Sequence, residues 1–275
     1  MCRVLGVSRA GYYAWRKRAP SAAEVRREEL TEQVKQIHTR VKGRYGSPRI
    51  HAELVARGHA CCANFVAKLM REAGLAAKTK RKFRQTTDSN HSMPVAENVL
   101  DRQFEPGQPN ASWVADITYV PTREGWLYLA VVEDLFSRMV VGWSMDSSME
   151  SRLVVDALEM ALARRLSLKG SSALVAHSDR GSQYASDHYQ RRLRDERITC
   201  SMSRRGDCWD NAPMESFFAS LKKELVHDED YATREQAKAS IFEYIEAFYN
   251  RVRRHSALGY VAPAEYERTH NPAHR

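Results

Sequence analysis

Apolar residues recur at helical spacing in the first quarter of the chain. Val25, Leu30, Val34 and Ile37 are set among charges and predict an amphipathic helix over 24–40. Ser8 can cap a shorter helix, 9–18, that carries Tyr12, Tyr13 and Trp15. Ser47 followed by Pro48 reads as N-cap and first turn of a helix ending before Gly58. A second helix runs over 63–73 and stops at Gly74. Leu54 and Val55 should then face Val66, Leu69 and Met70, which makes 45–75 a candidate helix-turn-helix. Residues 85–111, with three prolines and little periodicity, read as a linker with a short helix around 95–101. From Trp113 the pattern changes. Val-, Ile-, Trp- and Tyr-rich runs at 113–121, 126–133 and 138–145 predict an antiparallel meander. Helix 151–165, strand 173–178, helix 185–196 and strand 198–202 follow, then a polar loop 203–210 and helices at 211–226 and 233–251. A meander followed by alternating helices and strands is an α/β pattern, a mixed sheet covered by helices.

Charge sharpens this division. The net charge of +9 is unevenly spread. Residues 1–105 hold 21 Lys and Arg against 10 Asp and Glu, and residues 106–275 hold 22 against 24. All the excess positive charge lies in the N-terminal part, the footprint of a nucleic-acid-binding arm on a near-neutral body. The run Lys78, Lys80, Arg81, Lys82, Arg84 is its densest part and a candidate DNA contact. No apolar stretch has membrane-spanning length, and the N-terminus is too polar for a signal peptide, so no membrane partner is expected. Five irregularly spaced cysteines suit a reducing cytoplasm. Cys61 and Cys62 are adjacent, without the spacer of a zinc knuckle, so no zinc is expected despite His51 and His59 nearby.

Three carboxylates stand out. Asp116 interrupts an apolar strand, where an unpaired acid is costly. Asp179 closes a strand, and α/β sheets place ligand sites at such carboxyl ends. It can also be read as a turn former. Glu215 sits near a helix start but not at the third position after a residue able to cap, so capping does not explain it. Asp207 and Asp210 are rival third acids. Three oxygen donors without a His or Cys cluster suit Mg²⁺ or Mn²⁺. Lys222 lies seven residues after Glu215 and projects from nearly the same helix face, where it can meet a phosphate. His177, two residues before Asp179, is a candidate to orient it.

These residues also carry a resemblance. Trp113-x-x-Asp116-Ile-Thr-Tyr, His177-Ser-Asp179-Arg-Gly-Ser-Gln-Tyr and Asp210-Asn-x-x-x-Glu215-Ser-Phe resemble the three blocks of DDE transposases and retroviral integrases. The 35 residues between Asp179 and Glu215 match that family's spacing, and Lys222 falls where the insertion-sequence branch has a lysine. Tyr45-Gly-Ser-Pro-Arg-Ile and the run from Tyr249 to Pro263 are similar to the same branch's helix-turn-helix and ending. The chain is thus identified as resembling a second-reading-frame (OrfB-type) transposase of a bacterial insertion sequence.

The resemblance implies a ribonuclease-H-like catalytic core over 112–227. A basic helical DNA-binding region would precede it over 1–84, with 85–111 as linker and a C-terminal helical extension over 228–275. It implies Asp116, Asp179 and Glu215 as catalytic and metal-binding residues, with two Mg²⁺ or Mn²⁺ ions per site. The partners implied are double-stranded DNA (terminal inverted repeats and target), a second copy of the chain on DNA, and a possible fusion to an upstream-frame protein. The rings of Tyr12, Tyr13 and Trp15 beside the N-terminus lead to the expectation that the chain is the catalytic half of such a fusion. Two other readings stay open: a DNA-binding regulator, and a ribonuclease-H-like nuclease or resolvase without strand transfer.

Overall fold

The computed structural model describes residues 2–78, 94–165, 174–205 and 207–271. They form two compact units, divided at Lys78 and Thr79. Lys80, Arg81, Lys82 and Arg84 lie outside the described residues.

The first unit is all-helical: α1 (Arg9–Lys17), α2 (Ala22–Arg40), α3 (Ser47–Ala56) and α4 (Ala63–Glu72). Ser21 and Glu24 close a reciprocal capping box that starts α2 two residues earlier than its apolar stripe suggested. Leu30, Val34 and Ile37 of α2 are buried, as are Ile50 and Leu54 of α3 and Val66, Leu69 and Met70 of α4. Val25 and Val55 are instead exposed; three short helices cannot cover every apolar side chain. Gly46, not Ser47, is the N-cap of α3, with Pro48 in its first turn. Gly58 turns the chain between α3 and α4 at φ +85°, a conformation that needs glycine. Of the predicted basic contacts Lys78 alone is described, its backbone N–H donating to the Gly43 carbonyl at 3.2 Å.

The second unit holds a five-stranded mixed sheet in the order β3-β2-β1-β4-β5. The strands are β1 (Ser112–Thr122), β2 (Gly125–Asp134), β3 (Met139–Asp146), β4 (Val175–Ser178) and β5 (Thr199–Met202). β1, β2 and β3 form the expected antiparallel meander, while β4 runs parallel to β1 and β5 parallel to β4. α5 (Ser151–Arg164) buries Leu153, Val154, Ala157, Leu158 and Ala161 in a core shared with Trp113, Ala115, Ala130 and Val132. Gly142 of β3 permits this packing: a Cβ there would lie 2.8 Å from Ala161 Cβ. The expected helix 185–196 is broken at Ser186 into α6 (Ser182–Ala185) and α7 (Asp187–Asp195), because Ser186 caps α7 through the Tyr189 N–H. Residues 95–101 form no helix; Leu100 is instead buried, and the Ser201 hydroxyl receives the Val99 and Leu100 N–H groups.

α8 (Ala212–Glu224) and α9 (Arg234–Phe242) follow, and α9 continues as a π-helix over Glu243–Tyr249. A last helix, α10 (Pro263–His270), was not anticipated from the pattern. The 249–263 segment folds back on the sheet. Asn250 pairs its side-chain amide with both the N–H and the C=O of Val140 on edge strand β3, at 2.9 and 3.0 Å. Arg253 forms a buried bidentate pair with Glu224, and Tyr244 donates to the same carboxylate.

Candidate active site

The parallel register of β1 and β4 pairs Ala115 with Ser178. Asp116 follows Ala115 on β1 and Asp179 directly follows the last residue of β4, so the sheet brings them side by side where β4 ends. β1 runs on to Thr122 while its pairing with β4 stops at Ala115, which leaves an open strand edge beginning at Asp116. Glu215 lies in the first turn of α8. The preceding residue Asn211 donates from its amide to the Ala115 carbonyl at 3.3 Å, tethering the start of α8 to β1 just before Asp116.

The electrostatics agree with this convergence. The Asp116 carboxyl is held well above the ordinary carboxylate range, first by desolvation and then by the negative charge of Asp179 and, less, of Glu215. The Ile117 N–H, donating to its Oδ1 at 2.8 Å, and the Lys222 ammonium act the other way. Asp116 is nonetheless only half-buried by surface, so the open edge leaves it reachable. Asp179 accepts from the Gly181 N–H at 2.9 Å, so it also takes the turn-forming role given as its alternative reading. Lys222 sits 5.2 Å from the centroid of the Tyr119 ring, and burial lowers its ammonium's pKa.

Asp116 feels both Asp179 and Glu215 at electrostatic range, without coordination geometry. Among the described residues no group of three His, Cys, Asp or Glu side chains is drawn together as a metal cage. Their chemistry still fits a hard divalent cation. The donors are all oxygen, and their mutual repulsion is what such a charge relieves. The Asn211 Oδ1 beside them is buried with no hydrogen-bond partner among the described residues.

The rival acids are committed elsewhere. Asp210, 0% exposed, receives Arg102 Nε at 2.8 Å, Arg204 Nε and Nη2 at 2.9 and 2.8 Å, and Asn98 Nδ2 at 2.9 Å. These partners hold its carboxyl well below the usual range. Asp207 pairs with Arg102 as well. His177 does not turn toward Asp179. Its ring nitrogens meet the Ser201 and Ser203 hydroxyls at 2.8 and 3.1 Å, and burial pulls its pKa down to about 4. It ties β4 to β5 and the loop beyond as a neutral ring.

Three participants were missed in the sequence: Asn211, Tyr119 and the Arg102–Asp210 clamp. The first two lie inside the motif blocks, where proximity to Asp116 and Glu215 was an available signal. The clamp joins positions 108 apart and leaves no local trace. An open groove lined by Leu100, Pro106, Ala111 and Val175 lies at the amino ends of β1 and β4, away from the acids.

Models of known families match three stretches: an integrase core domain over 106–208, an HTH-like domain over 25–83, and a second integrase core domain model over 215–270. The chain is 46% identical over 269 residues to "Transposase InsF for insertion sequence IS3A" of Escherichia coli K12, covering 97% of this chain and 92% of that one. It is 45% identical over 274 residues to the IS600 "uncharacterized 31 kDa protein" of Shigella sonnei, covering 99% and 100%. Among solved structures, the HTLV-2 integrase catalytic core domain in complex with magnesium aligns with a TM-score of 0.43 at 18% identity, over 58% of this chain and 97% of that one. With sequence identity of this extent over nearly its whole length, the chain belongs to the IS3-type insertion-sequence transposases, which carry an integrase core domain.

Proposed function

We propose that this transposase cuts DNA at the ends of its insertion sequence and joins the freed ends to target DNA at one divalent-metal site. The observation that carries the reading is the Ala115–Ser178 register, which sets Asp116 beside Asp179 on an open strand edge, with Glu215 tethered next to them through Asn211. Asp116, Asp179 and Glu215 would hold two Mg²⁺ or Mn²⁺ ions. When bound, the ions supply Lewis-acid charge that activates a water or a DNA 3′-hydroxyl and stabilises the leaving oxygen. Lys222 contacts a backbone phosphate next to the acids, and the half-buried edge of β1 admits the DNA strand. The same site serves cleavage and joining, without a covalent link between protein and DNA.

The helical unit, its helix-turn-helix over 45–75 and the basic run 78–84 contact the terminal inverted repeats. Residues 85–111 link it to the core at 112–227, and 228–275 form the extension. Pairing two ends requires at least a dimer on DNA, in a reducing cytoplasm. Every side chain of α1 is at least partly exposed, Tyr13 and Trp15 largely so, which suits a fused upstream-frame helical protein as cover.

Asp116→Asn, Asp179→Asn and Glu215→Gln test the site. Each should abolish Mg²⁺-dependent cleavage of end-containing DNA while leaving end binding, measured by gel shift, unchanged. A Glu215→Gln protein that still cuts would give the third role to another acid.

A further inference from the structure

Beyond the acids, the open edge of β1 leads to a second constellation that the proposed chemistry does not use. Trp126, the second residue of β2, lies against Tyr119 edge-on, ring centroids 4.9 Å apart and planes at 77°. The same Tyr119 ring carries the Lys222 ammonium on its other contact. Lys222 in turn feels the Asp116 charge. The chain of contacts therefore runs from the acids through Lys222 and Tyr119 to Trp126.

Trp126 is 49% exposed, which is unusual for so large an apolar ring on a rigid element. The turn that carries it is pinned. The Arg123 N–H donates to the Tyr231 carbonyl at 3.0 Å, Glu124 accepts from the Arg234 N–H at 2.8 Å, and Arg234 Nε donates to the Trp126 carbonyl at 3.0 Å. A ring fixed by its backbone and left uncovered is a preorganised platform that loses little entropy on binding. Lys222 at the Tyr119 ring and Arg234 at the Trp126 carbonyl bring two cations near it, beside the Glu124 carboxylate, and such cations are complementary to a phosphate backbone.

We propose that Trp126, backed by Tyr119, stacks on an unpaired base of the DNA strand whose phosphate is held at Lys222. The site would thus favour ends that are frayed or opened next to the cut. The assignment rests on the acids being the active site, since that places the strand at Lys222. The chemistry is stacking, which is tolerant of base identity and worth about 1–3 kcal/mol per base, or roughly 5- to 150-fold in affinity.

The test uses the full chain, metal-free, with fluorescent oligonucleotides: a duplex with an unpaired 3′ end, the same duplex blunt, and one whose overhang is abasic. Trp126→Ala should weaken binding to the unpaired end by about 5- to 150-fold. The blunt and abasic probes should change little, and Trp126→Phe should recover most of the loss. Equal losses on all three probes, or none on the unpaired end, would overturn the proposal. So would a change of oligomeric state in sedimentation with DNA affinity intact, which would make Trp126 a contact between copies of the chain. Failure of the active-site reading is scored separately, as metal-dependent cleavage surviving in Asp116→Asn, and does not enter these binding measurements.

Discussion

Single residues show how tightly charge is controlled around the sheet. Glu133 is buried, and desolvation lifts its carboxyl to about 8 against the opposing pull of Arg138 and the Tyr249 hydroxyl. The folded protein therefore holds a proton on Glu133 that the unfolded chain releases above its ordinary carboxylate pKa. The stability this proton provides is complete at acid pH and is lost as pH rises towards about 8. Glu133→Gln, which keeps the neutral shape, should equal the wild type near pH 5 and exceed it near pH 8 in denaturant midpoints. A gap that grows toward acid pH would refute the burial argument. The Arg253–Glu224 pair is a buried ion pair, with both groups 3% exposed and hydrogen-bonded to each other. Arg253→Ala strands a buried carboxylate and should cost about 3–5 kcal/mol in urea unfolding. Tyr184 presents a third case: its hydroxyl is buried with no partner among the described residues, near enough to Asp116 and Asp179 to feel their charge. Tyr184→Phe should leave thermal stability intact or slightly improved. A fall in cleavage without a fall in stability would give that hydroxyl a place at the acid site.

At the level of elements, local period and spacing carried the strands and the acids, and long-range contacts decided the rest. The meander was legible because alternating Val, Ile, Trp and Tyr runs are bounded by turn residues, and Asp116 was visible as a misfit within one of them. The π-helical continuation of α9 and the return of Asn250 to Val140 were not, since that pairing spans 110 residues. The same holds for 95–101, where a helical pattern gives way to backbone hydrogen bonds with Ser201 and a salt bridge from Arg102 to Asp210. This clamp fixes the loop that enters α8 and so the position of Glu215. Arg102→Ala should lower the cleavage rate more than it weakens DNA binding and should raise hydrogen exchange across 207–211. Unchanged exchange there would show that the three Arg204 bonds to Asp210 suffice. Gly142 is the packing counterpart, since any side chain overlaps the Ala157 carbonyl of α5. Gly142→Ala should destabilise by at least about 1–3 kcal/mol.

For the whole molecule, charge is segregated from chemistry. The positive excess lies before residue 106, while the acids lie on a body with nearly equal numbers of each sign. Compact helices in the first unit and the acid-bearing strand edge in the second fit the proposed division between holding DNA and cutting it. That division has a measurable consequence, because each phosphate neutralised by a Lys or Arg adds roughly −0.9 to the slope of log affinity against log salt. Replacing Lys78, Lys80, Arg81, Lys82 and Arg84 with alanine should flatten the slope for duplex binding by about 0.9 for every one of them that touches phosphate. Base-edge contacts made by the helices would survive, so affinity at high salt should change less than at low salt. Cleavage of DNA supplied at saturating concentration should be nearly unchanged, since none of the five belongs to the acid site. If the slope stays as steep as in the wild type, the phosphate contacts lie on the second unit, with Lys222 and Arg234 the first residues to examine.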